Sequence, residues 1–245
     1  MQHRAIIFFP IVLIALCSCH RMWPIEKSIA GNGNTITEDR QIGTFTGIDL
    51  EGNYEVTLTQ GPVSSLRIVT DSNLLAYIKS SIEGGKLVLT SEANLQPTKS
   101  TQVYISSPNY TSIEIQGSAE VHGATPIKSD DLTFNIAGSG SADLEIHAQK
   151  LKTDVEGSGK LTLKGDALTY TADLAGSGSV DAVAMPVETA KIDIAGSGDA
   201  DVFVAKRLDA DIAGSGNIRY KGSVNDVHTS IAGSGKVEKL EGDSK

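Results

Sequence analysis

The tripeptide Gly-Ser-Gly returns along the second half of this chain at an almost fixed interval, and no other feature restricts the fold as much. Ala-Gly-Ser-Gly stands at 137–140, 175–178, 195–198, 213–216 and 232–235, with Glu-Gly-Ser-Gly at 156–159. The first glycines fall at 138, 157, 176, 196, 214 and 233, in steps of 19, 19, 20, 18 and 19 residues. Gln116-Gly117-Ser118 is a degenerate earlier copy. Glycine enrichment alone does not keep a period; a repeated supersecondary unit does.

Around each motif apolar residues alternate with polar ones, the period-two pattern of a strand. Ile115, Ile136, Val155, Leu174, Ile194, Ile212 and Ile231 share one repeat position. Two residues earlier stand Ile113, Phe134, Thr153, Ala172, Ile192, Ala210 and Thr229. After the motif come Ala142, Leu161, Val180, Ala200, Ile218 and Val237. Each unit therefore reads as strand, glycine corner, strand, closed by a looser second corner such as Lys164-Gly165-Asp166 or Lys221-Gly222-Ser223. An antiparallel meander could also place identical motifs at one edge. The constant period favours a β-solenoid, in which each unit is one rung and equivalent residues stack about 4.8 Å apart. Glycine suits its corners because it adopts positive φ without a Cβ penalty. One rung cannot bury its own apolar face, so its neighbours complete the core. Only 5% of residues are aromatic, so aliphatic side chains carry that core, as thin stacked layers require.

The chain divides accordingly. Residues 113–245 read as the regular solenoid and 37–112 as a less regular β region continuous with it. In the latter, Phe45 to Gly61 alternates through Ile48, Leu50, Tyr54, Val56 and Leu58, and Leu66–Val69 and Lys86–Leu89 read as further strands. Asp71 to Ser81, with an N-cap-like Asp and apolar Leu74, Leu75 and Ile78, predicts a short helix that caps the open end of the stack. At the other end Lys236, Glu238, Lys239 and Glu241 load the last rung with charge, which blunts an exposed edge. Residues 1–18 read as a leader: Arg4 precedes the apolar run Ala5–Leu16, too short to span a bilayer as a helix. The run ends in Leu16-Cys17-Ser18-Cys19, which resembles the lipobox of bacterial lipoproteins, with Cys19 as the lipidated residue. Cys17 fits less well, because Leu16 would occupy the position that wants a small residue. No other cysteine is present, so a chain processed at Cys19 holds no disulfide. Residues 19–36, with Gly31-Asn32-Gly33-Asn34, read as a flexible lipidated tether, and Trp23 as a residue for the membrane interface.

The matching stretches Asp71-Ser72-Asn73-Leu74-Leu75, Gly84-Gly85-Lys86-Leu87 and the Gly-Ser-Gly series together resemble a bacterial envelope family, the auto-transporter adhesin "head GIN" domain. The resemblance covers about residues 40–240. It implies a right-handed parallel β-helix-like fold, with lipoprotein members typical of Bacteroidetes-type bacteria. It supplies no catalytic or ligand-binding residues to carry over.

Chemistry-bearing patterns are few. A serine-hydrolase elbow needs Gly-x-Ser-x-Gly, and no corner has glycine two residues before its serine; Gly159-Lys160 lacks the rest of a phosphate-binding loop. Calcium-binding β-rolls place an aliphatic residue two after the Asp, whereas Asp143 and Asp201 directly precede Leu144 and Val202. The histidines His20, His122, His147 and His228 show no metal-ligand spacing. Two acidic columns are predicted: Asn135, Asp154, Asp173, Asp193, Asp211 and Ser230 at one outward position, and Asp143, Asp181, Asp201 and Glu238 at another, interrupted by Thr162 and Arg219. Only Arg219 is placed by the repeat beside these carboxylates, and stacked like charges about 5 Å apart repel by about 1 kcal/mol per pair in water. Asp154, Asp173, Asp193 and Asp211 are therefore candidates for weak cation binding, against the alternative of a solvated face.

A formal net charge of −9 argues against nucleic acid and anionic headgroups as partners. The expected protein is a cofactor-free, non-catalytic envelope lipoprotein, on the outer membrane and facing the periplasm or the surface. It is anchored to the bilayer through acylated Cys19 and presents a repetitive face about 30–40 Å long. Its candidate partners are a glycan, an envelope protein or a second copy of the chain. A structural, envelope-maintenance role and a carbohydrate-active enzyme are the alternatives. No acidic residue precedes Glu26 in the stretch after Cys19, which favours a periplasm-facing anchor.

Overall fold

The computed structural model describes residues 27–240; the leader, Cys19, His20 and Trp23 lie outside the described residues. Successive repeats do stack as rungs. The irregular half supplies strands β1 (Ser28–Ala30), β2 (Thr35–Arg40), β3 (Gly47–Gly52), β4 (Glu55–Gln60), β5 (Ser65–Asp71), β6 (Ile78–Glu83), β7 (Lys86–Ser91), β8 (Asn94–Gln96) and β9 (Gln102–Ser107). The repeats begin with β10 (Ser112–Gly117), β11 (Glu120–Gly123) and β12 (Ile127–Gly138). Long bent strands follow, β13 (Ser141–Gly157), β14 (Lys160–Gly176), β15 (Ser179–Gly196) and β16 (Asp199–Gly214), then β17 (Asn217–Lys221), β18 (Asp226–Gly233) and β19 (Lys236–Lys239). The result is a β-solenoid of about seven turns.

Every rung-to-rung pairing from β12 onward is parallel, and the strands entering the glycine corner keep the repeat register: Val155 pairs with Leu174, Leu174 with Ile194, Ile194 with Ile212 and Ile212 with Ile231. Two walls face each other. One holds the strands that enter each glycine corner and the other those that leave it. Ile136, Val155, Leu174, Ile194 and Ile212 point inward and are buried, as are Leu161, Val180, Ala200 and Ile218 opposite them. The one polar residue of the inner columns in this stretch, Thr153, is fully buried and satisfied: its hydroxyl lies 3.0 Å from that of Tyr170.

The corner explains its own sequence. At Gly196, φ is +133° and a Cβ would strike the carbonyl oxygen of Gly176 in the rung beneath. Only glycine meets both demands. With the backbones this close, the serine amide donates across the corner: Ser197 N–H to Gly176 O at 2.7 Å and Ser215 N–H to Gly196 O at 2.8 Å. The unequal steps are absorbed at the other corner, where the pairing of β15 slips between Ala182 and Pro186 and the Gly-Ser-Gly columns stay aligned.

The N-terminal region departs from the sequence reading in three ways. First, chain order is not stack order. β3 pairs in parallel with both β7 and β10, and β4 with both β9 and β11, so the first rung formed lies second in the stack. Second, the cap is made of strands rather than a helix. Over Asp71–Ser81 only Leu75–Tyr77 forms a single 3-10 turn, and Ile78 already begins β6. β6 runs antiparallel to β7, while β5 runs antiparallel to β9 and β2 antiparallel to β5. The predicted N-cap, Asp71, is buried and turned elsewhere. Its carboxylate accepts the Gly33 amide at 2.8 Å and the Thr98 amide at 2.7 Å. Third, residues 28–36 are no tether: β1 pairs with β8, β2 with β5, and Gly31 fits only because a Cβ there would strike the Asp71 carboxylate. A glycine- and asparagine-rich stretch looked flexible because its partners lie about 40 residues away, where no local pattern reveals them.

Candidate binding face

The outer surface of the corner-entering wall carries the acidic column. In register, Asn135, Asp154, Asp173, Asp193, Asp211 and Ser230 stack as the repeat predicts. The column runs further than the repeat shows, through Glu114 to Asp49, because β10 and β3 keep the same register after the Gly-Ser-Gly motif has decayed. Beside it, at the position before the corner glycine, runs an exposed line of Ala175, Ala195, Ala213 and Ala232. Between the two lies an elongated groove of about 430 Å³, lined by Asp154, Asp173, Asp193 and Asp211 on one side and by those alanines on the other.

The aspartates are not a bare row of like charges. Residues i and i−2 of a strand share a face, and two residues before the column stand Lys152 and Lys191. Lys152 Nζ lies 3.2 Å from Asp154 and 3.4 Å from Asp173, and Lys191 pairs with Asp193. Each lysine is held protonated above its ordinary range, chiefly by its hydrogen bond to the aspartate two residues on. This corrects the expectation that only Arg219 sits beside the carboxylates. The sequence holds the signal at two rungs, Lys152 and Lys191, while Thr133, Thr171, Asp209 and His228 take that position on the others. Such exposed pairs are worth about 0–1 kcal/mol each, the same order as the repulsion between neighbouring carboxylates. Among the described residues no group of three or more His, Cys, Asp or Glu side chains is arranged to hold a metal ion.

The second acidic column also forms as predicted, and it too carries cations beside its carboxylates. Arg219 makes a two-pronged pair with Asp201, at 2.6 and 2.7 Å, and Lys164 Nζ lies 3.0 Å from Asp143. Further up the first column, Lys86 pairs with Glu114 and the Gln116 amide donates to Asp49 at 2.9 Å. Asp49 nonetheless has its pKa raised, mainly by burial, with Glu114 and Glu51 adding to it.

His147 is the group that most resembles an acid-base residue. It borders an open depression of about 800 Å³ lined by Lys128, Ser129, Asp131 and Asp166. Its Nδ1 lies 2.7 Å from Asp166 and its Nε2 3.3 Å from Glu145. The Asp166 hydrogen bond, helped by Glu145, raises its pKa. With both nitrogens engaged by carboxylates, the ring offers neither to a substrate. His122 and His228 stand beside Glu120 and Asp226 and share no neighbour with it. The sequence did not single out His147 and Asp166, although the 19-residue step between them is the repeat period.

Among the described residues no helix is long and apolar enough to cross a membrane. A putative adhesin from Bacteroides fragilis is 26% identical, with a TM-score of 0.82 over 86% of this chain and 100% of its own. A protein from Parabacteroides distasonis described as a putative lipid-binding protein is 27% identical, with a TM-score of 0.75 over 88% of this chain and 100% of its own. A putative adhesin from Parabacteroides merdae is 25% identical, with a TM-score of 0.67 over 88% of this chain and 100% of its own. No curated protein matches the chain. Residues 44–224, from the first rung to the loop before β18, match the family described as "Putative auto-transporter adhesin, head GIN domain", and the chain belongs to that family.

Proposed function

We propose that this protein is a non-catalytic binding module of the bacterial envelope, tethered to the outer membrane by acylated Cys19 and engaging an extended partner along its outer wall. The observation that carries the reading is the groove between the aspartate and alanine columns. It crosses stacked rungs from Asp154 to Ser230, so its contacts recur at the rung spacing of about 4.8 Å along the solenoid axis. A ligand with its own repeat, such as a surface glycan, meets equivalent groups at each step. The alanines let such a chain approach the backbone closely, and the aspartates on the other side offer it acceptors at each rung. Relatives described as putative adhesins support a binding role, and their Bacteroides and Parabacteroides sources support the envelope as its place. The His147 cluster supports the non-catalytic part, since both its ring nitrogens are already engaged.

The test is a glycan array probed with the chain lacking residues 1–19, a deletion that removes none of the described residues. Binding to a polysaccharide should fall by about tenfold or more, 1.4 kcal/mol, when Ala195→Trp fills the groove. Equal binding by both proteins would move the site elsewhere, and depolymerisation of any polysaccharide abolished by one acidic substitution would make the protein an enzyme. Vesicles carried as a second arm address lipid, because the P. distasonis relative is described as lipid-binding. For the anchor, a fatty-acid analogue should label the full chain and not Cys19→Ala; equal labelling of both would remove the lipidation assignment.

A further inference from the structure

The C-terminal end of the stack shows what the inside of a rung looks like without a neighbour. Ile231 and Val227 are 45% and 37% exposed, whereas Ile212 and Leu208, directly beneath them in the same columns, are 2% and 0% exposed. Among the described residues β18 pairs with β16 alone and β19 with β17 alone, so the outer edge of both strands keeps its backbone donors and acceptors free. The charges expected to blunt this end, Lys236, Glu238 and Lys239, lie on β19, so β18, with apolar Val227 and Ile231 on its inner face, is left as a template for strand addition.

We propose that this edge is a self-association surface, at which β18 of two copies pairs antiparallel about a two-fold axis at Thr229. Three observations select a second copy as the occupant. The first is self-complementarity. Antiparallel pairing about Thr229 sets Val227 opposite Ile231 of the second copy, and Ile231 opposite its Val227, so the exposed apolar positions cover one another. The same register places His228 opposite Ser230 and Asp226 opposite Ala232, with no like charges face to face. A two-fold contact requires such reciprocity. The second is charge. On a chain of formal net charge −9, the end rung is balanced: Lys236 and Lys239 offset Asp226 and Glu238. Two acidic molecules repel over most of their surfaces but not here. The third is the chain's own solution at its opposite end, where β6 lies antiparallel on β7 and β5 on β9. An antiparallel strand is thus what closes this kind of stack.

Sedimentation of the chain lacking residues 1–19 over a dilution series tests the proposal. A monomer–dimer equilibrium is expected for the wild type. Val227→Lys and Ile231→Lys, which aim a charge from the inner face of the edge, should each remain monomeric and unfold at the wild-type temperature. Thr229→Cys should oxidise to a disulfide-linked dimer, because the axis sets that residue against itself, while Asp226→Cys should not. A wild type that is monomeric throughout overturns the proposal, as does a dimer that survives both lysine substitutions. Truncation after Leu240 should leave the equilibrium unchanged; conversion of a monomer to a dimer by that truncation would assign the edge to the tail instead.

Discussion

The two ends of this solenoid received different sequence, and the difference shows what repetition cannot do. Between them each rung is finished by an identical neighbour, so a 19-residue pattern suffices. At the N-terminal end, among the described residues, strands of varied composition finish the stack: β6 lies antiparallel on β7, β5 on β9 and β2 on β5, which covers both walls. At the C-terminal end of the described residues the last rung has a neighbour on one side alone, and Ile231 keeps the side chain of an interior residue in an exterior place. A column of identical residues therefore does not have one energetic meaning. The same isoleucine is core at rung positions 194 and 212 and surface at 231.

The largest test of that contrast is a pair of identical substitutions. Ile194→Asp buries an unpaired carboxylate between two rungs and should lower stability by several kcal/mol, about 3 or more. Ile231→Asp, in the same column, should change it by less than about 1 kcal/mol. Urea unfolding of both variants reads the difference, and equal losses would mean that the end rung is as enclosed as the middle.

A smaller pair sits one position inward. Thr153→Ala leaves the buried Tyr170 hydroxyl without its partner and should cost about 1–3 kcal/mol. Thr229→Ala, at the same repeat position on the open rung, should be near neutral by the same measurement. Loss of stability in both would place Thr229 in a buried network that the monomer does not form.

At the closed end the hinge of the comparison is Asp71, which ties the first strands to the 98 region through the Gly33 and Thr98 amides. The Thr98 amide, more than any other group, holds its pKa below the ordinary carboxylate value. A depressed folded-state pKa contributes stability that is present above about 3.9, the unfolded value, and is lost as pH falls through the folded one. Asp71→Asn should therefore be less stable than wild type at neutral pH and lose less on acidification below about pH 4. Proteolysis of the variant should begin between residues 27 and 40.

The smallest effect belongs to the middle of the stack. The pKa of His147 is raised, so its contribution is complete below the unfolded value of about 6.5 and lost as pH rises through the folded one. Asp166→Asn should lower the His147 pKa, read by NMR titration, with little change in unfolding temperature. An unchanged titration would mean that Asp166 does not set it.

What the sequence made legible follows the same division. In the repeats every residue's neighbour is its own equivalent 18–20 positions away, so columns, registers and both acidic ladders could be read from spacing alone. Lys152 and Lys191 were legible two positions from the aspartates they pair with, but Thr133, Thr171, Asp209 and His228 hold that position on the other rungs, so no repeat announces them. In the cap nothing repeats. The place of β3 and β4 in the stack depends on pairings with β7 and β9 that no period announces. The segment Asp71–Ser81 has helix-like spacing because Leu74, Leu75 and Ile78 are all buried, the last two in the main core, from a 3-10 turn and the start of a strand. Tertiary pairing of β6 with β7 overrode local preference.

Amide hydrogen exchange on the monomeric chain tests the central claim most directly, because protection reports which strands have neighbours on both sides. The account predicts slow exchange throughout β12–β16 and also in β7 and β9, which the antiparallel strands cover, with fast exchange in β18 and β19. Protection in β18 equal to that in β16, or rapid exchange in β7 and β9, would contradict a stack closed at its N-terminal end and open at the other.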